Sequence, residues 1–434
     1  MLARRGAVLV ALVLSLVSAA AALAAPPEVI ALRAARLLDV RTGRVIGGGR
    51  GAVVVVEGDR IRAAGAAADV AVPPGARVVE LGDRTLLPGL FDMHVHLSHG
   101  SSKPQGFAAG LFNGPIDNAF QAADNARTTL AGGFTTVRSA GDNDFIDVAL
   151  DKAIERGIAV GPRIVPAGYQ ISMTGGHGDE DGWPPGVFEM GPEQGVADGP
   201  EKLLRAVRYQ IKHGARVIKL TATAGVLGFE ATYDAQQFSE EEMRAVVDEA
   251  RRNRLKVMAH AHGLAGTLAA LHAGVASIEH GSQLDDEAIR LMKAGGVYLV
   301  PTAYINSGGG QDLARFPPEI RAKSEAATRA AGASLDRAIR AGVKIAFGTD
   351  SGAMPQGRNA REFAVLVAHG MTPLAAIQAA TIGAADLLGV DDRAVLEPGR
   401  LADVIAVPGN PLEDVRVLER VDFVMKGGAV FRTP

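Results

Sequence analysis

The chain has 434 residues, 47% of them hydrophobic and 21% charged, with a formal net charge of -3 and no cysteine. That is enough apolar material for one large core plus a smaller accessory unit, and it excludes a disordered chain. With no Lys/Arg run beyond the N-terminus there is no basic face for a phosphate backbone, and without cysteine neither a disulfide framework nor a lipid-modified Cys is available.

Residues 1–25 read as a secretory signal peptide: Arg4 and Arg5, an apolar run from Ala7 to Leu14, then small residues ending Ala22-Leu23-Ala24 before Pro26-Pro27. The expected destination is the periplasm or the medium, with no membrane contact after cleavage. The alternative is an uncleaved anchor, because the apolar stretch approaches the ~20 residues that a span needs.

From Val29 to Leu87 short β-prone runs are broken by Gly and Pro, as in Val53-Val54-Val55-Val56 followed by Glu57-Gly58-Asp59. The same texture returns in Ala402 to Val407 and in Val421 to Phe431. Segments 26–87 and 392–434 are therefore expected to combine into one small β-sandwich.

Between them, over 88–391, helical patterns alternate with short apolar runs, the rhythm of βα units and a parallel sheet. Strand candidates end near His96, Arg138, Ala167, Thr221, His260, His280, Pro301 and Asp350. Eight such strands predict a (β/α)8 TIM-like barrel. A doubly wound open sheet is the competitor, but the first βα turn carries no G-x-G-x-x-G phosphate loop. Ser239-Glu240-Glu241-Glu242 reads as a capping box opening a helix to Ala250. Residues 171–200, rich in Gly, Pro and acids and holding the lone Trp183, form a long loop on the side where barrel sites are built, and are expected to act as a lid and substrate wall.

Asp92-Met93-His94-Val95-His96 ends the first barrel strand, and alternation puts His94 and His96 on one face. An H-x-H alone is weak. Met258 and His260, Ile278 and His280, and Gly348 and Asp350 each share parity, so four strand ends can deliver an imidazole or carboxylate inward. The bland reading, buried and satisfied core histidines, is hard to sustain for the whole set. Lys219, in Val217-Ile218-Lys219-Leu220-Thr221, has inward parity within an apolar run. A bare ammonium there is unfavourable, so it is either paired to a carboxylate or carboxylated by CO2 into an anion that can bridge metals. His99, His213, His262, His272 and His369 are left outside the ligand set, His262 as a neighbour of the site rather than a ligand.

The run Leu87-Pro88-Gly89-Leu90-Phe91-Asp92 through His96, together with Val217-Ile218-Lys219, Ala259-His260-Ala261-His262-Gly263, Ile278-Glu279-His280-Gly281, Gly348-Thr349-Asp350 and Gly399-Arg400-Leu401-Ala402-Asp403, resembles the amidohydrolase superfamily. Thr174-Gly175-Gly176-His177-Gly178-Asp179 and Tyr233 to Ser239 make it most similar to the Xaa-Pro and Xaa-Arg dipeptidases and the ochratoxinase-like hydrolases. The resemblance implies two divalent metal ions, zinc being the expected ion: His94, His96 and Asp350 on one, His260 and His280 on the other, and carboxylated Lys219 between them. It further implies a hydrolase that cleaves the C-terminal amide of dipeptides or N-acyl amino acids by metal-activated hydroxide, with Asp350 moving the proton.

His177 and Tyr233 are candidate hydrogen-bond donors to the substrate and the developing oxyanion. Arg138, at the end of the second strand, and Arg358, after the last, are candidate partners for the substrate carboxylate, each with a salt bridge as its alternative. Asp179, Glu180 and Asp181 could receive a basic side chain or be a solvated loop. Proline, basic and aromatic leaving groups stay open, as does a homo-oligomer. The competing enzyme is a mononuclear imidazolonepropionase- or deaminase-like hydrolase acting on a cyclic amide or amidine. Deaminases of that kind need a glutamate soon after the third histidine, and His260-Ala261-His262-Gly263 has none. A non-catalytic binding protein that retains the barrel is the reading from another class.

Overall fold

The computed structural model describes residues 28–100, 113–180, 184–227, 230, 232–307 and 316–434. The expected signal segment, Trp183 and Asp181 lie outside them. No described helix is long and apolar enough to cross a membrane.

The Gly-punctuated N-terminal runs form β1 (Val29–Ala34), β2 (Arg36–Leu38), β3 (Val45–Ile46), β4 (Ala52–Glu57), β5 (Arg60–Ala66), β6 (Arg77–Glu80) and β7 (Arg84–Pro88). Strands β5-β4-β1-β6 make one sheet. The second sheet mixes the two ends of the chain in the order β17-β16-β15-β7-β2-β3, where β15 is Val404–Pro408, β16 Phe423–Lys426 and β17 Ala429–Arg432. Leu86 of β7 lies opposite Ala406 of β15 in antiparallel register. Leu32, Val54, Leu86, Val404 and Phe423 share one buried cluster between the sheets, so neither chain end buries its apolar face without the other.

The middle of the chain supplies the parallel strands. Strands β8 (Leu90–Val95), β9 (Phe134–Ser139) and β10 (Arg163–Val165) form one sheet; β11 (Ile218–Thr221), β12 (Val257–Ala261), β13 (Ser277–His280) and β14 (Tyr298–Val300) form another. Backbone bonds join them on both sides. The chain beyond β10 reaches β11 through Arg216 N to Pro166 O at 2.7 Å and Ile171 N to Lys219 O at 2.7 Å. The segment 344–351 joins β14 to β8 through Ala346 N to Leu299 O at 3.0 Å and Met93 N to Phe347 O at 2.8 Å. These links close a (β/α)8 ring in which segment 344–351 is the eighth stave, too irregular to be a regular strand.

The Ser239 capping box is present: Ser239 Oγ accepts from Glu242 N at 3.2 Å while Glu242 Oε2 accepts from Ser239 N at 2.9 Å, at the start of the helix Glu240–Arg252. The motif Gly399 to Asp403 holds the two units together. Asp403 O accepts from Gly89 N at 2.9 Å, and its carboxylate takes Arg163 at 2.5 Å and the Gly427 amide at 2.8 Å.

Ser239→Ala removes a cap worth roughly 1 kcal/mol. It is expected to lower the free energy of unfolding by that amount, read as a lower urea midpoint at unchanged m-value by far-UV circular dichroism, without changing the backbone of the barrel mouth.

Candidate metal centre

Four strand ends and the eighth stave converge at one end of the ring. His94 and His96 leave β8, Lys219 lies on β11, His260 on β12, His280 closes β13 and Asp350 ends the 344–351 segment. The ring centroid of His280 lies 5.0 Å from that of His94 and 4.6 Å from that of His260. Asp350 Oδ1 is 3.4 Å from His96 Nε2 and 3.6 Å from His94 Nε2. Lys219 Nζ is 3.3 Å from His94 Nε2. Among the described residues no carboxylate lies within ion-pair distance of Lys219, so the paired-lysine alternative is not what the fold builds.

Each imidazole is tied by one nitrogen. His94 Nδ1 contacts Glu279 Oε2 at 2.8 Å, His96 Nδ1 the carbonyl of Gly141 at 2.6 Å, His280 Nδ1 Thr302 Oγ1 at 2.8 Å, and His260 Nε2 the carbonyl of Ala224 at 3.2 Å. Tying one nitrogen selects a tautomer and leaves the lone pair of the other aimed at the centre, the arrangement that metal-ligating histidines use. Burial pushes His94 down to about 4, with the Lys219 charge adding to it, and holds His260 and His280 well below their usual value. Neutral imidazoles are metal ligands; imidazoliums are not. Burial also pushes Lys219 down to about 8, against the pull of Glu279 and Asp350. Burial raises the Asp350 carboxyl, but the His96 hydrogen bond and the other imidazoles more than offset it and hold the group well below the usual carboxylate range. Buried neutral nitrogens around an ionised carboxylate, with little else to bond, fit divalent cations.

Two backbone positions carry this convergence. His280 has φ 69° and Asp350 φ 60°, in the left-handed region where His and Asp are tolerated better than most residues, at a cost of order 1 kcal/mol. The parity expectation for β13 is corrected here. Register pairs Met258 with Ser277 and His260 with Glu279, so Ser277 and Glu279 face the interior while Ile278 joins the main apolar core. The left-handed turn at His280 then swings its ring back inward.

The other site expectations divide. His177 arrives from the 171–200 loop and stacks on His260 at 4.3 Å and 27°. Its place is shaped by Gly225, where a Cβ would lie 2.0 Å from the His177 ring. Tyr233 stands at the rim, its ring 5.8 Å from His262 and its hydroxyl accepting from Gln283 at 3.1 Å. Arg138 is corrected: it is buried, with Nη2 on Glu279 Oε1 at 2.9 Å, Nη1 on Ser277 Oγ at 3.1 Å and Nε on the Met93 carbonyl at 2.7 Å. A substrate carboxylate cannot reach a fork already spent. Arg358 is exposed and does not line the cavity. Asp179 caps its own loop, accepting from Gly175 N at 2.8 Å, and Glu180 contacts Asn143 at 3.4 Å. Neither lines the cavity. His262 is closer than expected: its ring stacks on His280 at 4.8 Å and 12°, and His260, His262 and His280 could together hold one ion. His99 likewise stacks on His96 at 5.5 Å and lines the cavity.

Sequence reasoning assigned no role to Glu279 or Asp92. Each is an acid inside an apolar strand within two residues of a histidine, which was the available signal. Asp92 accepts from His94 N at 3.1 Å, Thr349 N at 3.1 Å, Thr349 Oγ1 at 2.7 Å and Asn359 Nδ2 at 2.8 Å, pinning β8 to the eighth stave.

The ligand cluster floors a cavity of about 310 Å³. Val226, Leu227, Ile305 and Ala327 supply its apolar wall, with Gln170 and Ser324 among the polar groups.

A model of the amidohydrolase family matches residues 85–430. Ochratoxinase from Aspergillus niger is 37% identical over 374 residues, which cover 80% of this chain and 76% of that protein. The crystal structure of a Xaa-Pro dipeptidase with methionine in its active site superposes with a TM-score of 0.87 at 37% identity, over 93% of this chain and 100% of that one. A prolidase complexed with N-methylphosphonate-L-proline gives 0.82 at 32% identity, over 94% and 100%.

Asp92→Ala would orphan buried donors at a cost of about 1–3 kcal/mol each, and is expected to lower the urea midpoint far more than Asp92→Asn. Burial pushes Asp92 up to about 6 from 3.8. The stability carried by its neutral form is complete below pH 3.8 and lost as pH rises through 6. Asp92→Asn should therefore flatten that part of the stability-against-pH curve.

Proposed function

Since the chain belongs to the amidohydrolase family and is a hydrolase, we propose that it cleaves the C-terminal amide bond of dipeptides or N-acyl amino acids at a centre of two divalent ions, zinc foremost. His94, His96 and Asp350 would hold one ion, His260 and His280 the other, and carboxylated Lys219 both. The observation that carries this reading is the set of imidazoles, three buried and His96 part-buried, each with one nitrogen tied away and the other left for a common centre beside Lys219. Bound there, the ions supply Lewis acidity to the scissile carbonyl and to an attacking water.

Lys219 is suited to carboxylation because a neutral amine is the reactive form, and its Nζ is pushed down to about 8. The Nζ lone pair forms an N–C bond to CO2, one C–O π bond opens and one proton leaves for solvent, so a cation becomes an anion where cations are to sit. Asp350, kept ionised, takes the proton of the attacking water on a carboxylate oxygen and returns it to the departing nitrogen. His177, over His260 at the cavity wall, donates a hydrogen bond to the carbonyl oxygen as charge grows there. The 171–200 loop brings that donor to the cavity wall.

The wall favours an apolar or proline-like substrate over a basic one. Val226, Leu227, Ile305 and Ala327 line it, and among the described lining residues the only acid is Asp350, already committed to the centre. A buried Arg or Lys side chain would lack its counter-charge. The similar proteins act in keeping with this: the neighbour complexes hold methionine and a proline phosphonate. With residues 1–25 as its export signal, the enzyme would work in the periplasm or outside the cell.

Purified protein is expected to carry about two divalent ions per chain by elemental analysis, and Lys219→Ala to lose at least one of them and nearly all amide cleavage. One ion per chain with turnover of cyclic amides would favour the mononuclear reading; none after gentle preparation would favour a binding protein. In an amine-release screen, Xaa-Pro and N-acyl-Phe substrates should exceed Xaa-Arg by about tenfold or more, the worth of one desolvated unpaired charge at its lower bound. Gly225→Ala, whose methyl would collide with the His177 ring, should lower kcat by about 10²-fold, the scale of one lost oxyanion donor, with circular dichroism unchanged.

A further inference from the structure

Below the ligand cluster the barrel interior holds an ion pair that the mechanism does not use. Glu279 and Arg138 are both buried, and their charges meet at 2.9 Å. Ser277 Oγ donates to Glu279 Oε1 at 2.5 Å and itself lies 3.1 Å from Arg138 Nη1. The other carboxylate oxygen, Oε2, accepts from His94 Nδ1 at 2.8 Å. Arg138 Nε reaches the Met93 carbonyl at 2.7 Å, one residue before that histidine. Both the ring of His94 and its backbone are thus gripped by one assembly drawn from β8, β9 and β13.

A buried ion pair is weak evidence for stability, because desolvation consumes most of its attraction and apolar residues of like volume do as well or better. What the pair does supply is direction. Glu279 Oε1 is taken by the guanidinium at 2.9 Å and by the Ser277 hydroxyl at 2.5 Å, which fixes the group with Oε2 turned to His94 Nδ1. An oxygen of an ion-paired carboxylate at 2.8 Å accepts from Nδ1–H, which leaves Nε2 bare and facing Lys219 Nζ and Asp350 Oδ1. Of the four tied imidazoles, His94 alone is anchored by a charge; His96 and His260 rest on backbone carbonyls and His280 on a hydroxyl.

Resting on the reading of the site as a metal centre, we propose that Arg138 and Glu279, closed by Ser277, are positioning residues for His94. They fix its tautomer and ring plane, so that this ligand is preset before an ion arrives. Glu279 makes the contact, and Arg138 holds Glu279 in place. Neither touches substrate.

The test uses the full-length protein stripped of metal, retitrated with Zn2+ against a chromophoric chelator and, separately, with Co2+. The double variant Glu279→Gln/Arg138→Gln removes both charges together, so no lone charge is left buried. It is expected to bind the first ion about 10- to 100-fold more weakly, the usual cost of removing such an outer partner. Its Co2+ absorption should shift, and kcat should fall while KM stays near that of the parent. Ser277→Ala keeps both charges and deletes one hydrogen bond, so it should fold even if the double variant does not. It is expected to weaken ion binding by about 2- to 10-fold. Unaltered ion affinity and Co2+ spectrum in these variants, with only a lower melting temperature, would make the pair a core feature and overturn the proposal. Parent protein that takes up no divalent ion at all would overturn the metal-centre reading itself, and this role with it.

Discussion

The imidazoles of His94, His96, His260 and His280 at the mouth of the barrel each have one nitrogen held by a fixed partner, and the candidate site depends on that constraint. An unanchored ring can rotate, exchange tautomers or take up a proton, and in each case its lone pair is lost to the centre. For His94, His260 and His280 burial removes the last option by disfavouring imidazolium. The partners remove the first two. They come from places that share no sequence pattern: a carboxylate on β13, a carbonyl after β9, a hydroxyl after β14 and a carbonyl after β11. The ring of parallel strands brings these into reach, because adjacent strand ends finish at one level around a closed circle.

The same constraint explains where the backbone is strained. A regular strand ending delivers alternate residues inward, which suffices for His94 and His260. His280 follows a strand whose inward residues are Ser277 and Glu279, so a left-handed turn is needed to bring the ring round. Asp350 ends a stave that is not a regular strand, and it too takes a left-handed conformation while its amide bonds the His94 carbonyl at 2.8 Å. Asp92 stitches that stave to β8 from below. Local strain at His280 and Asp350 is thus offset by hydrogen bonds that over-determine their positions.

Charge is layered through the interior. Arg138 and Glu279 lie deepest, His94 bridges upward, and Lys219 and Asp350 face the cavity. Above them the wall turns apolar at Val226, Leu227 and Ile305. A substrate entering meets an apolar surface first and a strongly polar, water-poor floor second, the order that strengthens electrostatic interactions at a reacting bond.

The sequence by itself determined the ring of strands, the two-ended sandwich, which polar side chains of β8, β11, β12, β13 and the last stave gather at one mouth, and the capping box at Ser239. These are legible because alternation, capping and turn chemistry are local, and because polar residues ending apolar strands are conspicuous. The tertiary structure alone decided what faces what. Arg138 reads from the sequence as a free fork, yet its donors meet Glu279, which lies 141 positions further along the chain. His262 reads as lying beyond its strand, yet its ring stacks on His280. His280 reads as continuing the parity of Ile278, yet one positive φ reverses it. Period-2 alternation specifies a face only while the backbone stays extended, and it carries no information about partners across the barrel; those are set by strand register and ring closure, which exist only once the whole chain has folded.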